Sequence, residues 1–246
     1  MFRFLARWCK EHSSFPPDFG KAVAQVLPRT VIFDLDGTLV DTSPDLTAAL
    51  NAVLLAAGRR PLPEEEVRHL VGRGARVLIE RGMEETGDPV DQALVPKLLE
   101  DFIDYYGANI AAGSQPFPGA IEAVRHLIAT GHKVGICTNK PEALSFKLMD
   151  ALNLRRLFPV ILGADSRPYR KPDPRHLLDT ITELGGDPRN AVMIGDSETD
   201  SRTAQAADIP VILVSFGYTE IPVAELGADA IIDHFDALAA AIAKLA

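Results

Sequence analysis

Six short apolar runs recur along this chain, each followed by a helical or turn-rich segment rather than a tight hairpin: Val31–Asp36, Lys133–Thr138, Pro159–Leu162, Ala191–Asp196, Val211–Ser215 and Ala230–Asp233. Within them the apolar residues are nearly continuous. A strand with one wet face would alternate, so continuity predicts a parallel sheet covered by helices on both sides. The intervening segments supply those helices. Ser43-Pro44-Asp45 offers an N-cap, a first-turn proline and a first-turn acid, and Leu46, Ala49, Leu50, Val53, Leu54 and Ala57 follow at helical spacing up to Gly58. Pro118 opens a second helix, with Ile121, Val124, Leu127 and Ile128 on one face and Gly131 after it. Pro174 opens a third, carrying Leu177, Leu178, Ile181 and Leu184 and closed by Gly185-Gly186. The alternation predicts an α/β fold: a doubly wound parallel sheet with a Rossmann-like core.

One interval breaks the rhythm. Between the first and second runs, Glu64–Val71, Ala75–Arg81 and Ala93–Tyr106 are helical in pattern with no strand signal, and Pro96 fits only a first turn or a kink. A crossover needs a single helix. Residues 46–114 are therefore expected to form an inserted helical cap, with Pro116 and Pro118 marking the return, and 30–45 with 115–246 to form the α/β core. Residues 1–29 stand apart. Arg3, Arg7 and Lys10 alternate there with Phe2, Leu5 and Trp8, and Ser13-Ser14-Phe15-Pro16-Pro17 breaks any helix. They contain no continuous apolar core of a secretory signal. A flexible extension is expected, with a short membrane-surface or targeting helix as the alternative.

Composition narrows the function. With 47% hydrophobic and 24% charged residues the chain is an ordinary globular one, neither disordered nor fibrous. Its longest apolar run, near 48–57, is interrupted by Asn51 and falls short of the roughly 18–20 residues that cross a bilayer. A net charge of −9 argues against a nucleic-acid or anionic-lipid surface. Cys9 and Cys137 form neither a disulfide framework nor a metal-ligand set, so the reducing cytoplasm is the expected compartment. An acidic enzyme acting on an anion would need locally concentrated positive charge, or a metal ion, in its site.

The chemistry-bearing residues sit where the runs end. Asp34 and Asp36 lie two apart, so on a strand both carboxylates face one side, at the carboxyl end where parallel sheets bind ligands. Gly37-Thr38 follow. Alone, this pentad also reads as a turn whose aspartates cap a helix, and Asp41 takes that plainer role. Thr138-Asn139 offers a hydroxyl and an amide to phosphoryl oxygens, or simply caps the next helix. Arg170-Lys171-Pro172 is, by itself, an ordinary solvated turn. In Gly195-Asp196-Ser197-Glu198-Thr199-Asp200 the two aspartates are one helical turn apart and share a side, or serve as first-turn acids. His12, His69, His126, His132, His176 and His234 show no metal spacing, and Cys137 reads as a small core residue. Gly72-x-Gly74 lacks the preceding strand and third glycine of a dinucleotide fingerprint.

All four pieces fall at successive strand ends along one edge. In this the chain from Thr30 onward resembles the haloacid dehalogenase-like hydrolases, whose four motifs match Asp34-x-Asp36-Gly37-Thr38, Thr138, Lys171 and Gly195-Asp196-Ser197-x-x-Asp200. One class of that superfamily places a mobile cap right after the first motif. Within it, Val71-Gly72-Arg73-Gly74-Ala75-Arg76 and the return Pro116-Phe117-Pro118-Gly119 look most like the phosphoglycolate phosphatases. The resemblance implies a Mg2+-dependent phosphatase of a small phosphorylated metabolite, working as a monomer or homodimer. It implies Asp34 as nucleophile and Asp36 as the acid–base group. Asp34, the Asp36 backbone carbonyl and Asp196 would ligate magnesium, and Asp200 would be a further ligand or a partner of Lys171. Thr138, Asn139 and Lys171, beside Gly37, would hold the phosphoryl oxygens.

These residue types suit that chemistry. An ionised carboxylate needs no base to become a nucleophile, one carboxyl can give and then take a proton, and hard oxygens suit magnesium. Arg73 or Arg76, at the start of a cap helix, is expected to read the carboxylate of 2-phosphoglycolate; otherwise both are solvated charges. A dehalogenase would have no use for Asp36 and Asp196. A sugar phosphomutase or pyrophosphatase keeps all four motifs and differs in the cap. A non-catalytic binding module would be expected to have lost one of them, and none is missing.

Overall fold

A computed structural model describes residues 29–245; residues 1–28, which hold Cys9 and the basic–aromatic stretch, lie outside the described residues. Six parallel strands form the sheet, in the order β5-β4-β1-β6-β7-β8. They are β1 (Thr30–Phe33), β4 (Lys133–Cys137), β5 (Ile161–Leu162), β6 (Ala191–Gly195), β7 (Val211–Val214) and β8 (Ala230–Ile232). Each grows from one of the six apolar runs. Alternate residues feed opposite layers. Val31, Phe33, Ile136 and Ile194 face one apolar cluster, and Ile32, Cys137, Met193 and Leu213 face the other. Both faces are dry, which is why the runs read as continuous rather than alternating.

The first strand ends three residues earlier than its apolar run. The Asp34 amide still donates to the Ile194 carbonyl (2.9 Å), but the chain then curls into a turn in which the Leu35 carbonyl accepts from the Leu39 and Val40 amides. Two short strands follow from this: β2 (Val40–Asp41) pairs antiparallel with β3 (Gln115–Pro116), tying the departing chain to the returning one. Neither carries a run long enough to be read from sequence.

Between them lie α1 (Ser43–Ala56), α2 (Glu64–Arg68), α3 (Ala75–Glu85) and α4 (Val95–Ala108), an inserted helical layer. Pro96 sits in the first turn of α4. The expected N-cap at Ser43 is displaced by one residue: Ser43 is already helical, and its hydroxyl lies within hydrogen-bond reach of the Asp41 (2.8 Å) and Glu64 (2.5 Å) carboxylates instead. Asp45 spans the neck, accepting from the Gly113 amide (2.8 Å) and from the Ser114 amide and hydroxyl (2.9 and 2.5 Å). Leu50, Leu54, Ile79 and Phe102 bury the insertion's interior, continuous with one face of the sheet. The remaining helices are α5 (Ala120–Ala129), α6 (Glu142–Ala151), α7 (Pro174–Glu183), α8 (Glu198–Ala206) and α9 (Leu238–Lys244). α5 begins after Gly119, whose φ of +77° turns the chain in, so Pro118 precedes the helix rather than opening it. No described helix is long and apolar enough to cross a membrane.

Candidate active site

Strand register assembles the site. Phe33 is level with Ile136 on one side and Ile194 on the other, so the next residues bring Asp34, Cys137-Thr138 and Gly195-Asp196 to one height at the carboxyl edge. Asp34, Thr138, Asn139, Lys171, Asp196 and Asp200 are all buried there.

Lys171 arrives from the loop before α7 and places Nζ 2.9 Å from Asp34 and 2.6 Å from Asp200. Asp34 Oδ1 also accepts from the Leu35 amide (2.7 Å). Asp200 works in two directions. Its Oδ1 takes the lysine, and its Oδ2 accepts from the Asp196 and Ser197 amides (3.2 and 3.1 Å) and the Ser197 hydroxyl (2.7 Å), capping α8. The capping and charge-pairing roles open to it in the sequence are both fulfilled. Asp196 accepts from Thr38 Oγ1 (2.9 Å) and from the Tyr218 amide (2.7 Å). Gly37 permits that approach: its φ is +82°, and a Cβ would stand 2.5 Å from Asp196 Oδ2 and 2.8 Å from the Tyr218 ring. Asn139 donates through Nδ2 to the carbonyls of Lys171 (3.1 Å) and Gly72 (3.3 Å), joining the core to the insertion. Its Oδ1 is buried without a hydrogen-bond partner.

Asp36 turns elsewhere. Its carboxylate accepts from Thr42 Oγ1 (2.8 Å) and from Lys140 Nζ (2.8 and 3.1 Å), and Lys140 also donates to the Tyr106 hydroxyl (2.7 Å). Asp34, Asp36, Thr138, Asn139, Lys140 and Tyr106 thus border one cleft between core and insertion.

Arg73 is not brought there. Its side chain is 54% exposed and lies 3.4 Å from Glu198, outside the cleft. The Gly72-Arg73-Gly74 turn places glycine backbone on the cleft wall and sends the arginine away from it. Arg76 is held by Glu80 (3.0 Å) and Gln92 (2.8 Å).

The electrostatics follow from this crowding. Burial pushes Asp34 up to about 6, against the pull of Lys171 and with help from Asp200 and Asp36. Burial also raises Asp196 well above the usual carboxylate range, and the neighbouring Asp200 and Asp34 charges add to it. For Lys171 burial disfavours the charge, but Asp200 and Asp34 more than offset it and hold the amine above the ordinary lysine value. Burial raises Cys137 to about 12, so it is no nucleophile.

Comparison with known proteins agrees with this geometry. The family model described as haloacid dehalogenase-like hydrolase matches residues 28–208. The chain belongs to this family. It is 50% identical over 206 residues to a phosphoglycolate phosphatase of Caulobacter vibrioides, covering 84% of this chain and 87% of that protein. It is 48% identical over 214 residues to one of Mesorhizobium japonicum, covering 87% and 94%. Among solved structures, a predicted phosphoglycolate phosphatase from Haemophilus somnus superposes with a TM-score of 0.82 at 29% identity, covering 89% of this chain and 98% of that one.

Phosphatases of this family generally use Mg2+. The residues here fit a divalent cation. Asp34, Asp196 and Asp200 are buried, with ligand oxygens within 4.8 Å of one another; Lys171 pairs with Asp34 and Asp200, and no cation among the described residues pairs with Asp196. Hard carboxylate oxygens are the donors magnesium prefers. Sequence reasoning missed three residues that border this cleft or hold its side chains. Thr42 lies a few residues beyond the motif that contains Thr38. Lys140 directly follows Thr138-Asn139, and Tyr106 comes from an insertion helix with no pattern linking it to the core.

Proposed function

We propose that this chain is a magnesium-dependent phosphatase that hydrolyses 2-phosphoglycolate to glycolate and phosphate through an aspartyl-phosphate on Asp34. The observation that carries the reading is Asp34 itself: a buried carboxylate on the cleft wall, anchored at Oδ1 by Lys171 and the Leu35 amide. Both of these contacts fall on Oδ1. The substrate is argued from the names of the relatives.

In the first step Asp34 attacks phosphorus and the bond to the leaving oxygen breaks, with Asp36 delivering a proton to that oxygen. In the second, Asp36 takes a proton from water, the water oxygen bonds to phosphorus, and the bond to Asp34 breaks to restore the carboxylate. Thr138, Asn139 and Lys171, beside Gly37, hold the non-bridging oxygens as charge builds on them. Asp34 and Asp196, with the Asp36 backbone carbonyl and Asp200 as further ligands, would hold Mg2+, which supplies positive charge against the repulsion between anionic nucleophile and anionic ester. Residues 46–114 act as the cap that excludes water over the cleft, above a core of 30–45 and 115–246. No role in substrate binding is assigned to Arg73.

The test is phosphate release from a panel of phosphomonoesters. Activity should vanish in excess chelator, return with magnesium, and return poorly with calcium, which takes more ligands at longer distances. Full activity in chelator would overturn the metal assignment. A flat profile across the panel would overturn the substrate.

A further inference from the structure

We propose that Lys140, with the Tyr106 hydroxyl, binds the carboxylate of the leaving group and so selects esters of small 2-hydroxy acids over esters of neutral alcohols. The inference rests on the phosphatase reading above and names the part of the site that gives it a substrate.

The cleft has two unlike ends. Asp34 and Thr138 define the end that meets phosphorus, and around the rest the insertion and α6 contribute apolar side chains, Leu46, Leu78, Phe102 and Leu144 among them. Into this apolar wall project one ammonium and one phenol. Among the described residues that line the cleft, Lys140 is the one cation. Among the other cations nearby, Lys171 pairs with Asp34 and Asp200, Arg73 with Glu198, and Arg76 with Glu80.

Their hydrogen bonds leave capacity for one more anion. Lys140 Nζ sits with a side chain only 3% exposed. It gives one short bond to Asp36 Oδ1 (2.8 Å), one to Tyr106 (2.7 Å) and a longer one to Asp36 Oδ2 (3.1 Å). The longer contact duplicates the first and is the one an incoming carboxylate can replace. Tyr106 accepts from Lys140, so its own hydroxyl hydrogen remains to be donated. A buried donor without an acceptor is costly, and a carboxylate lying against Lys140 supplies one.

The spacing suits a 2-hydroxy acid. Asp36 must reach the leaving oxygen to protonate it, and Lys140 Nζ lies 2.8 Å from that same carboxylate. A carboxylate one carbon from the leaving oxygen therefore falls beside Nζ. A neutral alkyl group there would face an ammonium and a phenol with nothing to offer either. Because Tyr106 comes from α4 and Lys140 from the core, the pair forms only when the insertion is seated.

The experiment compares kcat/KM for phosphoglycolate with that for ethyl phosphate, which replaces the carboxylate by a methyl group, in wild type, Lys140→Met and Tyr106→Phe. Lys140 also touches Asp36, so absolute rates will fall for both esters in Lys140→Met; the ratio between esters is the readout. On the scale of charge-assisted hydrogen bonds, the preference for phosphoglycolate should drop about 30-fold in Lys140→Met and about fivefold in Tyr106→Phe. A wild-type preference that survives both substitutions unchanged overturns the role given to the pair and leaves the phosphoglycolate reading standing. A wild type with no preference overturns both. If Lys140→Met fails to fold, Tyr106→Phe decides, since it removes one oxygen and keeps the ring stacked on Phe102.

Discussion

Asp34→Asn should abolish turnover and yet make the metal-free protein more stable. The wild-type carboxylate is buried near Asp196 and Asp200 and shares Lys171 with Asp200. Burial, opposed by Lys171 and reinforced by Asp200 and Asp36, lifts it from 3.8 to about 6. A carboxyl whose folded pKa is raised favours the native state below about 3.8, and that contribution is lost as pH climbs through about 6, because the unfolded chain gives up its proton first. A shift of about two units at 1.36 kcal/mol each comes to about 3 kcal/mol at neutral and higher pH. Asparagine keeps an oxygen to accept from the Leu35 amide and Lys171 and carries no charge. Urea denaturation in excess chelator should therefore find Asp34→Asn about 3 kcal/mol more stable than wild type near pH 8, with the gap narrowing to about half near pH 5. Magnesium should stabilise the wild type and scarcely move the variant. The reasoning fails if the variant is the less stable protein at about pH 8 in chelator, or if the gap does not change with pH.

Three further outcomes follow from named contacts. Asp36→Asn keeps its backbone carbonyl and should retain substrate binding, but kcat on phosphoglycolate should fall about a hundredfold or more, and p-nitrophenyl phosphate, whose leaving oxygen needs little protonation, should lose less in pre-steady-state p-nitrophenol release. Arg73→Ala, which breaks an exposed pair with Glu198, should change kcat/KM for phosphoglycolate by less than about twofold; a tenfold loss would restore the carboxylate-reading role that its sequence position suggested. His176 is wholly buried, and burial, with Lys171 adding to it, pushes its imidazole down to about 4. The stability of a neutral buried histidine is present above about 6.5 and lost as pH falls toward about 4, so His176→Leu should gain about 3 kcal/mol relative to wild type across that interval, read from denaturation midpoints.

The sheet was legible because its physics is one-dimensional: a strand dry on both faces must be apolar at every position, and six such runs became six strands. Motif residues on those strands were legible for the same reason, since register carries Asp34, Thr138 and Asp196 to one edge once the strands are aligned. Helix starts were less so. Ser43 has the composition of a cap, but Asp41 and Glu64 draw its hydroxyl away, and no local pattern announces partners 2 and 21 residues off. Arg73 shows the same difficulty at the site. Gly72 and Gly74 on either side of it line the cleft, but a turn sets where the backbone goes, whereas Glu198 decides where the guanidinium goes.

Lys140 illustrates why a cation in a site like this one is hard to see in a sequence. The chain is acidic overall, and its site gathers Asp34, Asp36, Asp196 and Asp200, with Lys140 paired to Asp36 and Lys171 to Asp34 and Asp200. Two lysines do not neutralise four carboxylates, and they are not equivalent. Lys171 stands between Asp34 and Asp200, on the side where three carboxylates leave room for a divalent cation. Lys140 stands across the cleft, between Asp36 and an insertion helix, where that carboxylate has one counterion and the lysine one phenol. The first arrangement suits any phosphoryl group and is spelled out by motifs. The second can suit only a particular leaving group, and it depends on which helix the insertion lays against Asp36. Recognition of phosphate is thus built from the strands, and recognition of what the phosphate is attached to is built from packing between the two layers.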